Sequence, residues 1–262
     1  MVMNTNCEQA RDLLNQAKFQ EASECFSLLA AQSADPLEKV SYLLEVADCY
    51  RRLGRLEEAM DCLATAKTFA VADALSYAQV EFVAATVLIE QDKHEHGLKK
   101  LTSILSEYSD QLEEGEGREL YQEIQMQRGI SLMYLARYEN ARPILQESVS
   151  FGFSDKVISD LHCHLGRCDH ELGLYREAKE QFEQCRALGV NDEWQSTYHY
   201  YFGYTLYELK DFAAARRELI LCLQSGASGP PQSYVYRLLA ATCGKLGDRE
   251  EARVYDKLAR SS

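Results

Sequence analysis

The sequence predicts an all-α fold of antiparallel helix pairs, and three observations lead to that prediction. A short phrase recurs along the chain, and apolar residues near each copy fall at i, i+3, i+4 and i+7, as in amphipathic helices. The 262 residues include only 4 prolines, which break helix interiors. Glycine follows several apolar stretches, where a helix must stop and reverse. Paired helices repeated along the chain account for all three observations.

The recurring phrase sets the register of the predicted helices. Its clearest copies read RLGRLEEAMDCL at 52–63, ELGLYREAKEQF at 171–182 and KLGDREEARVYD at 245–256. An alanine near the centre of each copy defines a reference position, occupied by Ala22, Ala59, Ala141, Ala178, Ala215 and Ala252. The intervals between these alanines are 37, 82, 37, 37 and 37 residues. The interval of 82 holds a degraded copy, EQDKHEHGLKKL, with Gly97 at the reference position.

Seven units follow from this register, in a single array over residues 1–262. Each unit is predicted to contain a first helix, a turn and a second helix that carries the reference residue. A small residue is expected there because only Ala or Gly lets two crossing helices approach closely. The units are predicted at about 4–36, 41–73, 79–112, 122–154, 159–191, 196–228 and 233–262.

The spacing between units three and four is longer than the others. The segment at 106–119, SEYSDQLEEGEGRE, is acidic and contains two glycines. It is predicted to be either a flexible, solvated loop or a longer helix end followed by a loop, and it is the one plausible hinge. An acidic contact surface is the functional alternative. Polar residues in the terminal units, such as Arg249 and Asp256, predict capping units and a complete array.

Several units resemble the tetratricopeptide repeat. Unit five carries the matching residues Leu165, Gly166, Gly173, Tyr175, Ala178 and Phe182. Units two and six carry similar sets around Ala59 and Ala215, although the period is longer than usual and the closing proline is mostly absent. The resemblance implies a right-handed α–α superhelix, a solenoid whose first helices line a concave face, and it implies that ligands bind on that face.

Composition narrows the classes of partner and compartment. The formal net charge of -13 disfavours binding to nucleic acid and to anionic membranes. The 9 cysteines lie within helical patterns, which predicts reduced thiols in a cytoplasmic protein and no disulfide framework. No secretory signal and no run of about 18 apolar residues is visible.

The concave-face positions on each first helix are expected at i, i+4 and i+7. Units two and three contribute Leu44, Asp48, Arg51, Phe82, Thr86 and Ile89. The predicted binding residues come from the later units: Met126, Ile130, Met133, Arg167, His170, Tyr200, Tyr204, Tyr207 and Arg237. Tyrosine beside arginine favours a peptide with apolar or aromatic anchors and an acidic group. Core packing of the tyrosines is the alternative.

The sequence predicts no catalytic residue, no metal site and no cofactor. Phosphate-binding, dinucleotide-binding and nucleophile-elbow motifs are missing. His164 and Cys168 share a helix face, but two ligands fall short of what zinc requires, so packing is the preferred interpretation. One branch of the family that the chain resembles recognises the acidic C-terminal tails of Hsp70 and Hsp90 with a clamp of Lys, Asn and Arg on inner positions. The inner positions here hold one aspartate, no asparagine and no lysine, so the resemblance does not imply recognition of those tails.

These observations lead to one preferred function and two alternatives. The preferred function is a non-enzymatic scaffold or adaptor that binds a peptide or protein segment in the concave groove. One alternative is a structural protein that self-associates as a homo-oligomer. The other is a peptide-sensing regulator without an output domain.

Overall fold

The computed structural model describes residues 7–112, 115–226 and 229–261. Over these residues the chain forms fifteen α-helices and one short 3-10 helix, with no β-strand. The all-α prediction is therefore confirmed. The chain divides into two compact units, Met1–Leu135 and Ala136–Ser262. They are called unit 1 and unit 2 below, in numerals, and each is distinct from the seven predicted repeat units. The single seven-repeat array and its bounds stay predictions, and their residues 4–6, 113–114, 227–228 and 262 lie outside the described residues.

Unit 1 contains eight of these helices, in which short turns join successive packed helices and so make the pairs antiparallel. Their bounds are α1 Cys7–Asn15, α2 Phe19–Gln32, α3 Pro36–Arg52, α4 Leu56–Ala70, α5 Ala74–Glu90, α6 His94–Glu107, α7 Ser109–Leu112 and α8 Glu116–Tyr134.

Unit 2 contains the remaining seven helices, and the 3-10 turn Asp192–Trp194 precedes α12. Their bounds are α9 Tyr138–Val149, α10 Asp155–Glu171, α11 Tyr175–Leu188, α12 Gln195–Glu208, α13 Phe212–Gln224, α14 Gln232–Leu246 and α15 Arg249–Ser261.

Every reference residue is the fourth residue of its helix, and a left-handed residue lies five positions before it. The left-handed residues are Ala17, Gly54, Asp92, Ala136, Gly173, Lys210 and Gly247. At Gly173 the N–H donates to the carbonyl of His170 at 2.9 Å, and the next N–H, of Leu174, donates to Asp169 at 2.8 Å. This pair of hydrogen bonds is the Schellman motif, which satisfies carbonyls that the helix end leaves open. The three glycines that the sequence predicts in turns, Gly54, Gly173 and Gly247, all lie at this position, and the other four turns use a residue with a side chain.

Small residues lie where the first and second helices of a pair cross. Ala59, Ala178 and Ala215 are fully buried at their reference positions. On the facing helix, a Cβ added to Gly166 would lie 2.9 Å from a ring carbon of Phe182, and one added to Gly203 would lie 2.9 Å from Leu219. These separations leave no room for a side chain, as expected for closely crossing helices.

The acidic segment at 106–119 is partly helical. Helix α7 lies within it, and Leu112 at its end is 1% exposed and packs in a core cluster with Leu120 and Ile124 of α8. Residues 113 and 114 of this segment lie outside the described residues. Residues 109–112 therefore agree with the alternative of a longer helix end and not with a wholly solvated loop, because Leu112 anchors that turn in the core.

All nine cysteines have free thiols, and seven of them are buried. Burial raises the pKa of Cys168 to about 12 and that of Cys49 to about 11. At neutral pH these groups are protonated and act as small apolar side chains. No helix within the described part of the chain has the length and apolar character needed to cross a membrane.

Candidate functional site

Unit 2 has a groove between α12 and α14, here called the tyrosine groove, with a cavity volume of about 350 Å³. It is lined by Tyr200, Tyr204, Tyr207, Glu208, Tyr234, Arg237, Leu238 and Ala241. The helical period separates two faces of α12. Tyr198, Phe202 and Leu206 point into the core and are at most 3% exposed. The tyrosines at i, i+4 and i+7 lie on another face and are half-buried.

The groove combines hydroxyl donors with one cation and one anion. Burial raises the pKa of Tyr200 to about 12, so its hydroxyl stays protonated at neutral pH. The pKa of Tyr204 is raised by burial and then by the charge of Glu208. Across the groove Tyr234 is 52% exposed, and the exposed guanidinium of Arg237 lies 6.0 Å from its ring centre. The structure brings four predicted site residues together here: Tyr200, Tyr204, Tyr207 and Arg237.

His170 of α10 packs behind the groove instead of lining it. It is 7% exposed, its ring centre lies 4.6 Å from that of Tyr204, and its Nδ1 is 3.0 Å from the Thr205 hydroxyl. Burial lowers the pKa of His170 to about 4, so the ring is neutral at pH 7. The expectation that His170 faces a ligand is therefore corrected, since neighbouring side chains cover it and it supports Tyr204.

Arg167, one turn earlier on α10, also lies outside the tyrosine groove. Its guanidinium lies 5.1 Å from the centre of the Tyr201 ring. Burial raises the pKa of Tyr201 to about 12 and the nearby charge of Arg167 opposes that rise. Arg167 is therefore placed against the aromatic packing of unit 2, and Arg237 is the cation that lines the groove.

Unit 1 has a second groove across α3, α5 and α8, here called the acidic groove. It consists of two cavities of about 330 and 520 Å³ that share Leu44, Phe82, Val83 and Glu123. The predicted concave positions Asp48, Arg51, Thr86, Ile89 and Met126 line the first cavity with Glu90 and Gln127. Ser41, Glu45, Gln79, Glu119 and Leu120 complete the second.

Two predicted site residues on α8 line neither groove. Ile130 is half-buried, and Met133 has no exposed surface. Helix α8 carries buried residues at several turns, because it packs against both α5 and α6. Met133 is therefore a core residue in this structure and not a contact for a ligand.

The cation of the acidic groove is held by carboxylates of the protein. Arg51 donates to Asp48 at 2.5 Å and also to Glu90, and Arg52 donates to Asp48 at 2.6 Å. Burial alone would raise the pKa of Asp48, but the hydrogen bonds from the two arginines outweigh it and lower the pKa. Glu45 behaves in the opposite way, because burial and the charge of Asp48 both raise its pKa.

The two possible metal ligands on α10, His164 and Cys168, are packed in the protein interior. The ring centre of His164 lies 4.9 Å from that of Trp194, and burial lowers the pKa of His164 to about 4. Cys168 is fully buried. Among the residues that the structure describes, no three His, Cys, Asp or Glu side chains come together as metal ligands would.

Sequence reasoning missed several residues of both grooves. Tyr234 lies three positions before Arg237 on α14, so a count extended by one helical turn would have found it. Glu123 has the same offset from Met126 on α8 and could have been found in the same way. Glu45 had no such signal, because it lies beside Leu44 and only the packing of α3, α5 and α8 brings it to the groove.

Two family models described as tetratricopeptide repeat match the chain, one over residues 7–74 and the other over residues 159–185. No curated protein matches the chain significantly in sequence. Among solved structures, a structure from a study of pilF of Pseudomonas aeruginosa has a TM-score of 0.63 and 19% identity. That match covers 83% of this chain and 89% of that one.

Two other solved structures match more of this chain. The apo form of the quorum sensor NprR from B. thuringiensis has a TM-score of 0.64 at 15% identity, covering 96% of this chain and 84% of that one. The Cut9–Hcn1 hetero-tetramer of the APC/C has a TM-score of 0.68 at 15% identity. Its match covers 97% of this chain and 45% of that chain. At these identities the likeness shows the fold alone.

Proposed function

Because the chain is a tetratricopeptide repeat protein, we propose that it is a non-enzymatic scaffold that binds a peptide or protein segment in the tyrosine groove. The observation that carries the proposal is the row of half-buried tyrosines on α12 facing exposed Tyr234 and Arg237 on α14. Binding of other proteins is the general role of this repeat fold.

The side chains of the tyrosine groove indicate which chemical groups a ligand would carry. Tyrosine offers a large apolar surface with little side-chain entropy to lose, so its rings suit aromatic or aliphatic anchors. The protonated hydroxyls donate to backbone carbonyls of an extended or helical segment. Arg237 supplies a cation for a carboxylate, and Glu208 at the rim repels a second one.

The exposure of the groove residues favours this function over packing alone. Phe202 and Leu206 on the same helix are nearly excluded from solvent, whereas Tyr200, Tyr204 and Tyr207 keep part of their surface open. Apolar side chains that remain partly exposed in a groove are typical of binding surfaces. A homo-oligomer that covers the same groove is the second candidate.

A charge reversal at Arg237 tests the proposal. A library of phage-displayed 12-residue peptides is selected on the purified protein, and the enriched peptides are synthesised. We expect a common motif with an apolar or aromatic anchor and an Asp or Glu. We expect Arg237→Glu to weaken its binding at least tenfold, about 1.4 kcal/mol, in fluorescence anisotropy.

Arg253→Glu is the matched control, because Arg253 is also exposed and lies on a second helix, α15, away from the groove. Circular dichroism should show equal helix content in both variants. No enriched motif, or equal losses for the two variants, would contradict peptide binding in the tyrosine groove. Light scattering on the same samples tests the second candidate, a homo-oligomer. An oligomer that Arg237→Glu dissociates would show that a second copy of the chain occupies the tyrosine groove.

A further inference from the structure

The acidity of the chain is concentrated in its first half. Residues 1–135 contain 23 acidic and 12 basic residues, whereas residues 136–262 contain 18 and 16. The strong negative charge therefore belongs to unit 1. An excess of this size attracts cations over several ångströms at physiological salt. Solubility alone does not explain where these charges lie on the surface of unit 1.

Five carboxylates line the acidic groove beside a single basic residue. The carboxylates are Glu45, Asp48, Glu90, Glu119 and Glu123. Arg51 is shared between Asp48 and Glu90, so its charge is already matched within the protein. Within the described residues Glu45, Glu119 and Glu123 have neither an ion pair nor a side-chain hydrogen bond. The groove thus retains three carboxylates outside any direct ion pair, and the charges of Arg11 and Arg52 only partly offset that of Glu45.

Two of these carboxylates, Glu45 and Glu123, lie where the pKa of the group is raised. Glu45 is half-buried on α3, and burial and nearby Asp48 raise its pKa. Glu123 on α8 is exposed at the groove, and partial desolvation of its carboxyl and the charge of Glu119 raise its pKa. A cation placed between α3 and α8 would relieve both effects.

The floor between the carboxylates is apolar. It is formed by Leu44, Phe82, Val83, Ile89 and Met126, each of which keeps part of its surface open to solvent. A free cation would leave this floor uncovered. A ligand that carries apolar groups and cations on one face would match both the floor and the rim.

We propose that the acidic groove binds a cationic amphipathic protein segment, with lysine or arginine at Glu45, Glu119 and Glu123 and apolar side chains against Phe82 and Met126. The inference shares with the proposed function the idea that first helices present binding grooves, but it concerns a different groove and the opposite ligand charge. The tyrosine groove selects an acidic group through Arg237, whereas the acidic groove selects basic ones.

Three labelled 14-residue peptides test the chemistry by fluorescence anisotropy. The first places leucine and lysine on opposite faces of a helix, the second replaces every lysine by glutamate, and the third replaces every leucine by glutamine. We expect the leucine–lysine peptide to bind at least tenfold more tightly than either of the others. Equal binding of the lysine–glutamine peptide would overturn the role of the apolar floor, and binding of the leucine–glutamate peptide would overturn the role of charge.

Paired substitutions locate the binding. The variant Glu45→Gln with Glu123→Gln should bind the leucine–lysine peptide at least tenfold more weakly than the natural protein. The control Glu57→Gln with Asp61→Asn removes the same charge from exposed positions on α4 and should change binding less than twofold. Equal losses for the two pairs would show attraction to the whole acidic surface and overturn the proposal.

A third variant separates this inference from the proposed function. Arg237→Glu should leave binding of the leucine–lysine peptide within twofold, because it alters only the tyrosine groove. Met126→Gln, a polar change of similar size on the floor, should weaken that binding at least fivefold. Binding of spermine as tight as that of the peptide would assign the groove to small cations and overturn the assignment to a protein segment.

Discussion

His170 illustrates how a residue's role depends on the neighbours around it. Its ring contacts Tyr175, Tyr201 and Tyr204, and its Nδ1 lies within hydrogen-bond distance of the Thr205 hydroxyl. Burial lowers the pKa of His170 to about 4, well below the ordinary value of a histidine. A buried neutral imidazole in aromatic packing stabilises the fold and makes its stability depend on pH.

The pKa of His170 predicts how stability changes with acid. In the unfolded chain the histidine takes up a proton as the pH falls below about 6.5, whereas in the folded chain it stays neutral to about pH 4. Stability is therefore fully present above pH 6.5 and falls toward pH 4. The free energy of unfolding should therefore fall by about 2 kcal/mol between pH 7 and pH 5 because of this residue.

Urea unfolding at pH 7 and pH 5 checks this value. His170→Gln should reduce the loss between the two pH values, and His96→Gln, at an exposed position, should keep it. Carboxylates that titrate in this range contribute equally to the variants and to the natural protein, so their effect on stability cancels in the comparison. An unchanged loss in His170→Gln would show that this imidazole is charged in the folded protein.

At the scale of elements, the crossing of first and second helices depends on residues without a side chain. Gly166 faces Phe182 and Gly203 faces Leu219 across the helix pairs of unit 2. The sequence indicated small residues at such crossings, because helix pairing and spacing can be inferred from periodicity. The closeness of each contact comes from the structure.

Two glycine substitutions test this packing. Gly203→Ala should lower the free energy of unfolding by about 1–3 kcal/mol, because the new Cβ would lie 2.9 Å from Leu219. Gly244→Ala is the matched change within α14, where an added Cβ meets nothing within 4 Å. It should raise stability by about 1 kcal/mol, since alanine is the better helix former. Thermal or urea unfolding measures both, and effects of the same sign would contradict the close crossing.

At the scale of the whole molecule, one turn geometry recurs along the chain. Its left-handed position is glycine at Gly54, Gly173 and Gly247, but alanine, aspartate or lysine elsewhere. The same turn is therefore adopted even where the residue disfavours its left-handed conformation. A side chain in this conformation costs about 1–2 kcal/mol, which glycine avoids.

Glycine at two of these turns should stabilise the protein. Lys210→Gly and Ala17→Gly should each raise the free energy of unfolding by about 0.5–1 kcal/mol, after the greater freedom of glycine in the unfolded chain is subtracted. The gains should add in the double variant, because each acts on its own turn. Gly173→Ala should have the opposite effect, and a loss of stability in the glycine variants would contradict the left-handed assignment.

The two grooves show the difference between a charged surface and a charged site. Net charge over the chain predicted only which partners are disfavoured. Its concentration in residues 1–135, together with an open apolar floor on α3, α5 and α8, distinguishes a groove that suits cations from the rest of the surface. The arginine of the tyrosine groove, Arg237, suits acidic groups in a unit whose charges nearly balance.

The sequence by itself determined the helical fold, the register of the reference residues and the positions of the turns. These features depend on the apolar periodicity and on small residues at helix crossings, and both recur in the sequence from one repeat to the next. Only the tertiary structure decided which concave positions are open. Met126 lines a groove whereas Met133 is fully buried, and Arg237 lines a groove whereas His170 supports its wall. Burial is set by neighbouring helices whose side chains have no constant offset in sequence, and for that reason equivalent repeat positions differ in exposure.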